Sequence, residues 1–229
     1  MIKGVMFDFS GTLFRIESTE QWLRAVVANA SLAVPERELD ACAGRLEEAG
    51  AQPGGAAPRR VPPHLEGLWR ERDLTAERHR AAFTALAREA KLPSADLGEA
   101  LYDRSQVSEA WQPYPDTEET LRALSRRGIP VAVVSNIGWD MRPVFRHHGV
   151  DDLVDAYFLS FEYGVEKPDP RIFQMACDKL GVAPDDALMV GDDRVADVGA
   201  SALGCQVHLV DHLPVDRRPS ALAEVLHLL

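Results

Sequence analysis

The chain has 229 residues, 46% of them hydrophobic, with a formal net charge of -11 and a pI near 5.1. That apolar fraction can bury one good core and a small second domain. The acidic balance argues against a nucleic-acid backbone or an anionic membrane surface as partner, because both repel it.

Residues 2–7 form an apolar strand that delivers Asp8 to the glycine turn Phe9-Ser10-Gly11-Thr12. An apolar run that stops at a carboxylate and a Gly-Thr marks a strand ending in a site. From 17 to 110 the pattern is helical throughout. Thr19 caps a helix carrying Trp22, Leu23, Val26 and Val27, and Pro35 opens another with Leu39, Cys42 and Leu46 on one face. Residues 50–63, rich in Gly, Ala and Pro and carrying Arg59 and Arg60, read as a solvated loop. Helices follow over 64–72, 75–91 and 94–109, and nothing in the block alternates with period two. Trp22, Trp69 and Phe83 are expected in its core. The linkers at 15–18 and 110–115 read as hinges.

Beyond Trp111 strand and helix alternate. A helix over 116–127 stops at Gly128, and 129–134 is an unbroken apolar run, as a parallel strand buried on both faces requires. Residues 139–148 are helical, and 156–159 form a short strand. Asp169 and Pro170 cap and open a helix that ends before Gly181. Strands at 187–190 and 206–210 flank a helix over 195–203. Together these predict an α/β fold, a doubly wound parallel sheet (1–16 and 111–229) interrupted by an all-helical module (17–110).

Cys42, Cys177 and Cys205 form no Cys-x-x-Cys pair and read as reduced, buried thiols. No basic-plus-apolar leader and no membrane-spanning stretch is present in the sequence, so a soluble, cytoplasmic protein is expected. Oligomeric state has no signature.

Ligands bind open parallel sheets at the carboxyl ends of the strands. Asp8-Phe9-Ser10-Gly11-Thr12 follows the first strand and Ser135-Asn136 the second. Glu166-Lys167-Pro168 lies beyond the short strand, and Gly191-Asp192-Asp193 follows the next, with Asp197 at a helix start. That set, in that order, resembles the haloacid dehalogenase superfamily, including its group with a helical cap inserted after the first motif.

The resemblance implies a Rossmann-like core, a magnesium cofactor and a small phosphorylated substrate. It implies that Asp8 attacks phosphorus to form an aspartyl-phosphate. Asp192 would hold Mg²⁺ with the Asp8 carboxylate and the main-chain carbonyl of Ser10, an all-oxygen set. Ser135, Asn136 and Lys167 would bind the phosphoryl group, Lys167 also offsetting the charge of Asp8. Gly11 would allow the turn, and Thr12 would stiffen it. Asp193 and Asp197 would complete the acidic pocket around these residues; each also reads as a helix N-terminal acid favoured by the dipole.

Ser10 stands where this pattern usually has a second aspartate, the acid that protonates the leaving group. A serine hydroxyl cannot do this near neutral pH, and general acid–base help is worth about 10²–10⁴-fold. The main-chain metal ligand survives the change. Three readings follow: a phosphatase acting on a good leaving group or taking an acid from the cap (Glu17, His64 or Glu66); cleavage of a carbon–phosphorus or carbon–halogen bond; or a phosphate- or partner-binding protein with weakened catalysis. The resemblance implies that carbon–phosphorus cleavage needs a desolvated cap lysine, and the one candidate, Lys91, reads as exposed; carbon–halogen cleavage belongs to a metal-free branch, whereas Gly191-Asp192-Asp193 keeps the acidic metal pattern.

Overall fold

Runs of consecutive apolar residues need cover on both faces, and the chain answers with parallel strands sandwiched by helices. The computed structural model describes residues 1–229. It sets β1 (Gly4–Phe7) in the middle of a five-stranded sheet. Next come β2 (Phe14–Ile16) and β3 (Trp111–Pro113), which pair with each other antiparallel as a separate ribbon. The main sheet is completed by β4 (Val131–Ser135), β5 (Ala156–Leu159), β6 (Ala187–Gly191) and β7 (Gln206–Leu209). Its order is β5-β4-β1-β6-β7, every pair parallel. The chain winds outward from β1 through β4 and β5, then returns to β6 on the other side of β1. The β1/β6 gap is therefore the topological switch point, where such sheets bind ligands.

Between β2 and β3 run α1 (Thr19–Asn29), α2 (Glu36–Ala49), α3 (Glu66–Arg70), α4 (Ala76–Glu89) and α5 (Leu97–Arg104). Their inner faces (Trp22, Leu23, Leu39, Cys42, Leu46, Leu86, Leu101) form a core of their own. The sheet has two other cores, one on each face, around Val5, Phe7 and Val133 and around Met6, Ala132 and Met189. After β3 come α6 (Thr117–Arg126), α7 (Arg142–His147), α8 (Ser160–Tyr163) and α9 (Pro170–Leu180).

Several expected boundaries move, each for a local reason. Ser18, not Thr19, caps α1: its side chain accepts from Gln21 N at 3.2 Å, and the Gln21 side chain accepts from Ser18 N at 3.2 Å. The segment expected as one helix over 64–72 breaks into 3-10 turns around α3, because the chain turns Asp73 inward and its carbonyl accepts from Ser160 Oγ at 2.6 Å. Asp197–Leu203 winds as a 3-10 helix, with Gly199 pressed onto Pro168. The two linkers are strands, β2 and β3, too short for a period-two pattern to register. His147 is exposed at the end of α7, while His148 Nε2 lies 2.9 Å from the Trp111 carbonyl. The three cysteines are free and buried. No helix is long and apolar enough to cross a membrane.

Candidate active site

The carboxyl ends of β1, β4 and β6 and the segment after β7 meet at one cavity of about 480 Å³, roofed by the helical insert. Asp8 lies on its floor. Buried Lys167 joins two carboxylates there, its Nζ donating to Asp8 Oδ1 at 2.8 Å and to Asp197 Oδ1 at 2.5 Å. Asp197 is fully buried, and its other oxygen accepts from Asp193 N at 2.9 Å. Burial pushes the Asp8 carboxyl up to about 7; Lys167 pulls against it, while Asp197 and Asp192 add to it. Burial also pulls on Lys167, but Asp197 and Asp8 outweigh it and hold the ammonium above its usual range.

The loop after β1 is braced from three sides. Gly11 has φ +80, and a Cβ there would run into His212 and the Asp192 carboxylate, so no side chain fits. His212 Nδ1 lies 2.5 Å from Asp192 Oδ2, and Thr12 Oγ1 donates to Asp192 Oδ1 at 3.4 Å. From the far end of the chain, buried Arg218 donates to the carbonyls of Gly11 and Thr12 while its guanidinium stacks on Tyr114. The Ser10 carbonyl accepts none of the loop's hydrogen bonds. Its hydroxyl points to the insert and donates to Gly54 O at 3.3 Å, beside Arg15 Nη1, which donates to the same carbonyl at 2.5 Å.

Asp8, Asp192 and Asp197 thus share one cavity with a single buried ammonium, Lys167. A floor with surplus carboxylate suits a hard divalent cation. Asp8, Asp192 and the free Ser10 carbonyl are the oxygens that could hold it, with His212 orienting Asp192 from behind.

A model of the haloacid dehalogenase-like hydrolase family matches residues 2–203. The chain belongs to that family. It is 39% identical over 100 residues to a phosphoserine phosphatase of Thermus thermophilus, covering 43% of this chain and 40% of that protein. It is also 33% identical over 153 residues to (S)-2-haloacid dehalogenase 1 of a Pseudomonas species, covering 61% of this chain and 67% of that protein. A solved dehalogenase structure with an intermediate complex superposes over 100% of this chain and 97% of its own with a TM-score of 0.69, at 22% identity, a likeness of fold. The match thus spans less than half of the Thermus protein and about two thirds of the Pseudomonas one.

For this haloacid dehalogenase-like chain, the structure brings every expected site residue except Thr12 to the cavity wall, with Thr12 just behind Asp192. Two of them are engaged locally. The Asn136 side chain is used up on the Lys167 backbone, donating to its carbonyl at 2.8 Å and accepting from its N–H at 2.7 Å. Asp193 Oδ1 accepts from Val195 N at 2.7 Å and Ala196 N at 2.8 Å, a turn-capping role. Ser135 is buried at the end of β4 and faces the cavity.

None of the three acids considered for the cap lines the cavity: Glu17 is paired with Arg104 at 2.7 Å, His64 lies 3.3 Å from Glu89 at the surface, and Glu66 is exposed. Lys91 is exposed. Trp69 and Phe83, expected in the insert's core, also line the cavity, Trp69 while packing against that core and Phe83 while buried. Residues that sequence reading missed also reach it: Arg72, Asp73 and His79 from the insert, Trp139 and His212 from the sheet domain. The Gly-Trp after Ser135-Asn136 was the available signal for Trp139. His212 carried none.

Proposed function

We propose that this chain is a magnesium-dependent phosphohydrolase that acts on a small phosphorylated substrate through an aspartyl-phosphate on Asp8, with residues 17–110 as its cap. The observation that carries the reading is the surplus of carboxylates, Asp8, Asp192 and Asp197, around one buried ammonium at the switch point. A bond-forming aspartate next to a phosphate dianion needs more positive charge than Lys167 alone supplies. Bound magnesium would neutralise phosphoryl charge and keep Asp8 ionised.

The chain's own residues do the rest. Asp197 and the Asn136 brace fix Lys167, which holds Asp8 and a phosphoryl oxygen together. Ser135 donates to another phosphoryl oxygen. Asp8 forms an O–P bond as the bond to the leaving oxygen breaks, and water then attacks the phosphorus of the acyl phosphate to restore the carboxylate. Ser10, facing Gly54, gives the leaving oxygen no proton, which favours a departing group able to bear its own negative charge. The insert excludes bulk water. Such a substrate is a soluble metabolite, and a cytoplasmic site of action goes with it.

Hydrolysis of p-nitrophenyl phosphate, with and without magnesium, by the wild type and by Asp8→Asn tests the reading. Metal-dependent turnover abolished in Asp8→Asn is the expected result. No turnover from folded, magnesium-binding protein would turn attention to phosphate or partner binding without catalysis. Carbon–halogen hydrolysis is a second reading, favoured by the resemblance to the Pseudomonas dehalogenase and by the aromatic cavity wall. Metal-independent halide release from a 2-haloacid would establish it.

A further inference from the structure

The cavity has two unlike ends. At one end are the groups assigned above to phosphate and metal. The other end is built by the insert and by the loop after β4, and there each polar side chain of the insert that lines the wall already has a partner inside the protein. Gln52 accepts from Thr19 Oγ1 at 2.9 Å and donates to Glu17 O at 3.0 Å. Arg72 donates to Trp69 O at 2.8 Å and pairs with Asp73 at 3.0 Å, stacking on the Trp69 ring at 4.0 Å. Asp73 has His79 Nε2 at 3.6 Å on its other oxygen, and His79 Nδ1 lies 2.7 Å from the Tyr102 hydroxyl. Burial holds His79 in its neutral form.

What remains at this end is aromatic surface. The insert supplies one edge-to-face pair, Trp69 and Phe83, with centroids 5.5 Å apart. The sheet domain supplies a second pair, Trp111 and Trp139, 5.9 Å apart. All four line the same cavity. A sugar or polyol would bring hydroxyls that must compete for insert side chains already partnered, and an unpaired buried polar group costs about 1–3 kcal/mol. The insert's one cation on the wall, Arg72, is already committed to Asp73, and the other guanidinium of the lining, Arg194, is exposed on the loop after β6. A flat neutral ring would lose nothing and would stack.

The leaving-group chemistry points the same way. Ser10 keeps its hydroxyl on the Gly54 carbonyl, none of the acids named for the cap reaches the wall, and Asp73, the insert carboxylate that does, is paired with Arg72. A phenolate, whose conjugate acid titrates near about 10, departs without a proton far more readily than an alkoxide. We propose that the substrate is an aryl phosphate monoester, with Asp8 and Lys167 taking the phosphoryl group and Trp69, Phe83, Trp111 and Trp139 enclosing an uncharged aromatic ring. The inference rests on the phosphohydrolase reading. The reaction balances as that reading writes it: the Asp8 O–P bond forms as the P–O(aryl) bond breaks, the phenolate carries the electron pair, and it takes its proton from water after release.

Two measurements on the same wild-type protein separate the inference from its foundation. Magnesium-dependent hydrolysis of acetyl phosphate, lost in Asp8→Asn, tests the phosphohydrolase reading without any ring. Inhibition of that activity by phenylphosphonate and by a polyhydroxylated alkylphosphonate of equal size tests the ring site. The expected result is at least a tenfold lower inhibition constant for phenylphosphonate, with Trp69→Ala narrowing the ratio by roughly tenfold, the scale of one stacked ring. Equal inhibition, or preference for the polyol, with acetyl phosphate still hydrolysed would overturn the aryl assignment alone. Absence of any Asp8-dependent hydrolysis would overturn both. The wild-type comparison stands even if Trp69→Ala fails to fold.

Discussion

Lys167 Nζ lies closer to Asp197, at 2.5 Å, than to Asp8, at 2.8 Å, and all three side chains are buried. The lysine is thus anchored by the more deeply buried carboxylate and presented to Asp8, the less deeply buried of the two. Such an ammonium is held by structure and does not wait for phosphate to order it.

Replacing it should therefore harm folding as well as chemistry. In Lys167→Met two buried carboxylates lose their only cation, and removing one partner of a buried pair costs about 3–5 kcal/mol. Urea denaturation should register a loss of that order, together with loss of magnesium-dependent turnover. Unchanged stability would mean that Asp8 and Asp197 carry their charges without the lysine.

Ser10→Ala should barely matter for chemistry. The hydroxyl is 3.3 Å from a backbone carbonyl that Arg15 also serves. Losing one such hydrogen bond costs about 0.5–1.5 kcal/mol, and kcat for an aryl phosphate is expected to stay within about threefold. A loss of about 100-fold or more, on the scale of a lost general acid or base, would show that Ser10 moves a proton after all.

His79 should make the protein acid-sensitive. Burial, with Arg72 adding to it, lowers its pKa to about 3 from an ordinary 6.5. The unfolded chain thus binds a proton that the native chain refuses; stability from this group is complete above about 6.5 and falls as pH drops toward about 3. Asp73 is shifted upward by burial, so its contribution has the opposite slope, lost as pH rises. Chemical denaturation of the wild type and His79→Gln between about pH 4 and pH 7 should give a stability difference that favours the wild type increasingly as pH rises. A flat or falling difference would refute the buried neutral histidine.

Gly138→Ala tests how the insert seats on the sheet domain. A Cβ at Gly138 would overlap the His79 ring, so the two domains could no longer meet there. Misplacing the aromatic wall by an ångström is expected to lower kcat/KM by about 10–100-fold. Hydrogen exchange should quicken in residues 63–76 and 136–139 while the central strands stay protected. A variant with wild-type kinetics would place the productive form of the insert elsewhere.

The parts of this molecule written in consecutive residues could be read without its structure. Four apolar runs, leading to Asp8, Ser135, Ser160 and Gly191-Asp192, announced the sheet and its reactive edge, and Asp169-Pro170 with Gly181 framed α9 to the residue. Residues recruited from afar could not be read that way. His212 and Arg218 sit in a segment with no motif, and their roles come from a sheet order that returns β7 and the chain after it toward β1. Trp69 and Phe83 have the spacing of core residues in an amphipathic helix. Whether such a residue faces its own core or a cavity depends on where the whole insert docks, which periodicity does not encode.

Arg218 reaches back 207 positions to the Gly11 carbonyl and 206 to that of Thr12. A chain emerging from the ribosome therefore presents Asp8 some two hundred residues before it can complete the loop around it. Until Arg218 is free to fold back, Asp8 rides on an unclamped turn. A chain still lacking Arg218 is in this way kept from presenting a finished site. By the same token, removing residues 218–229 should disarm the enzyme without touching any of the residues that line the cavity.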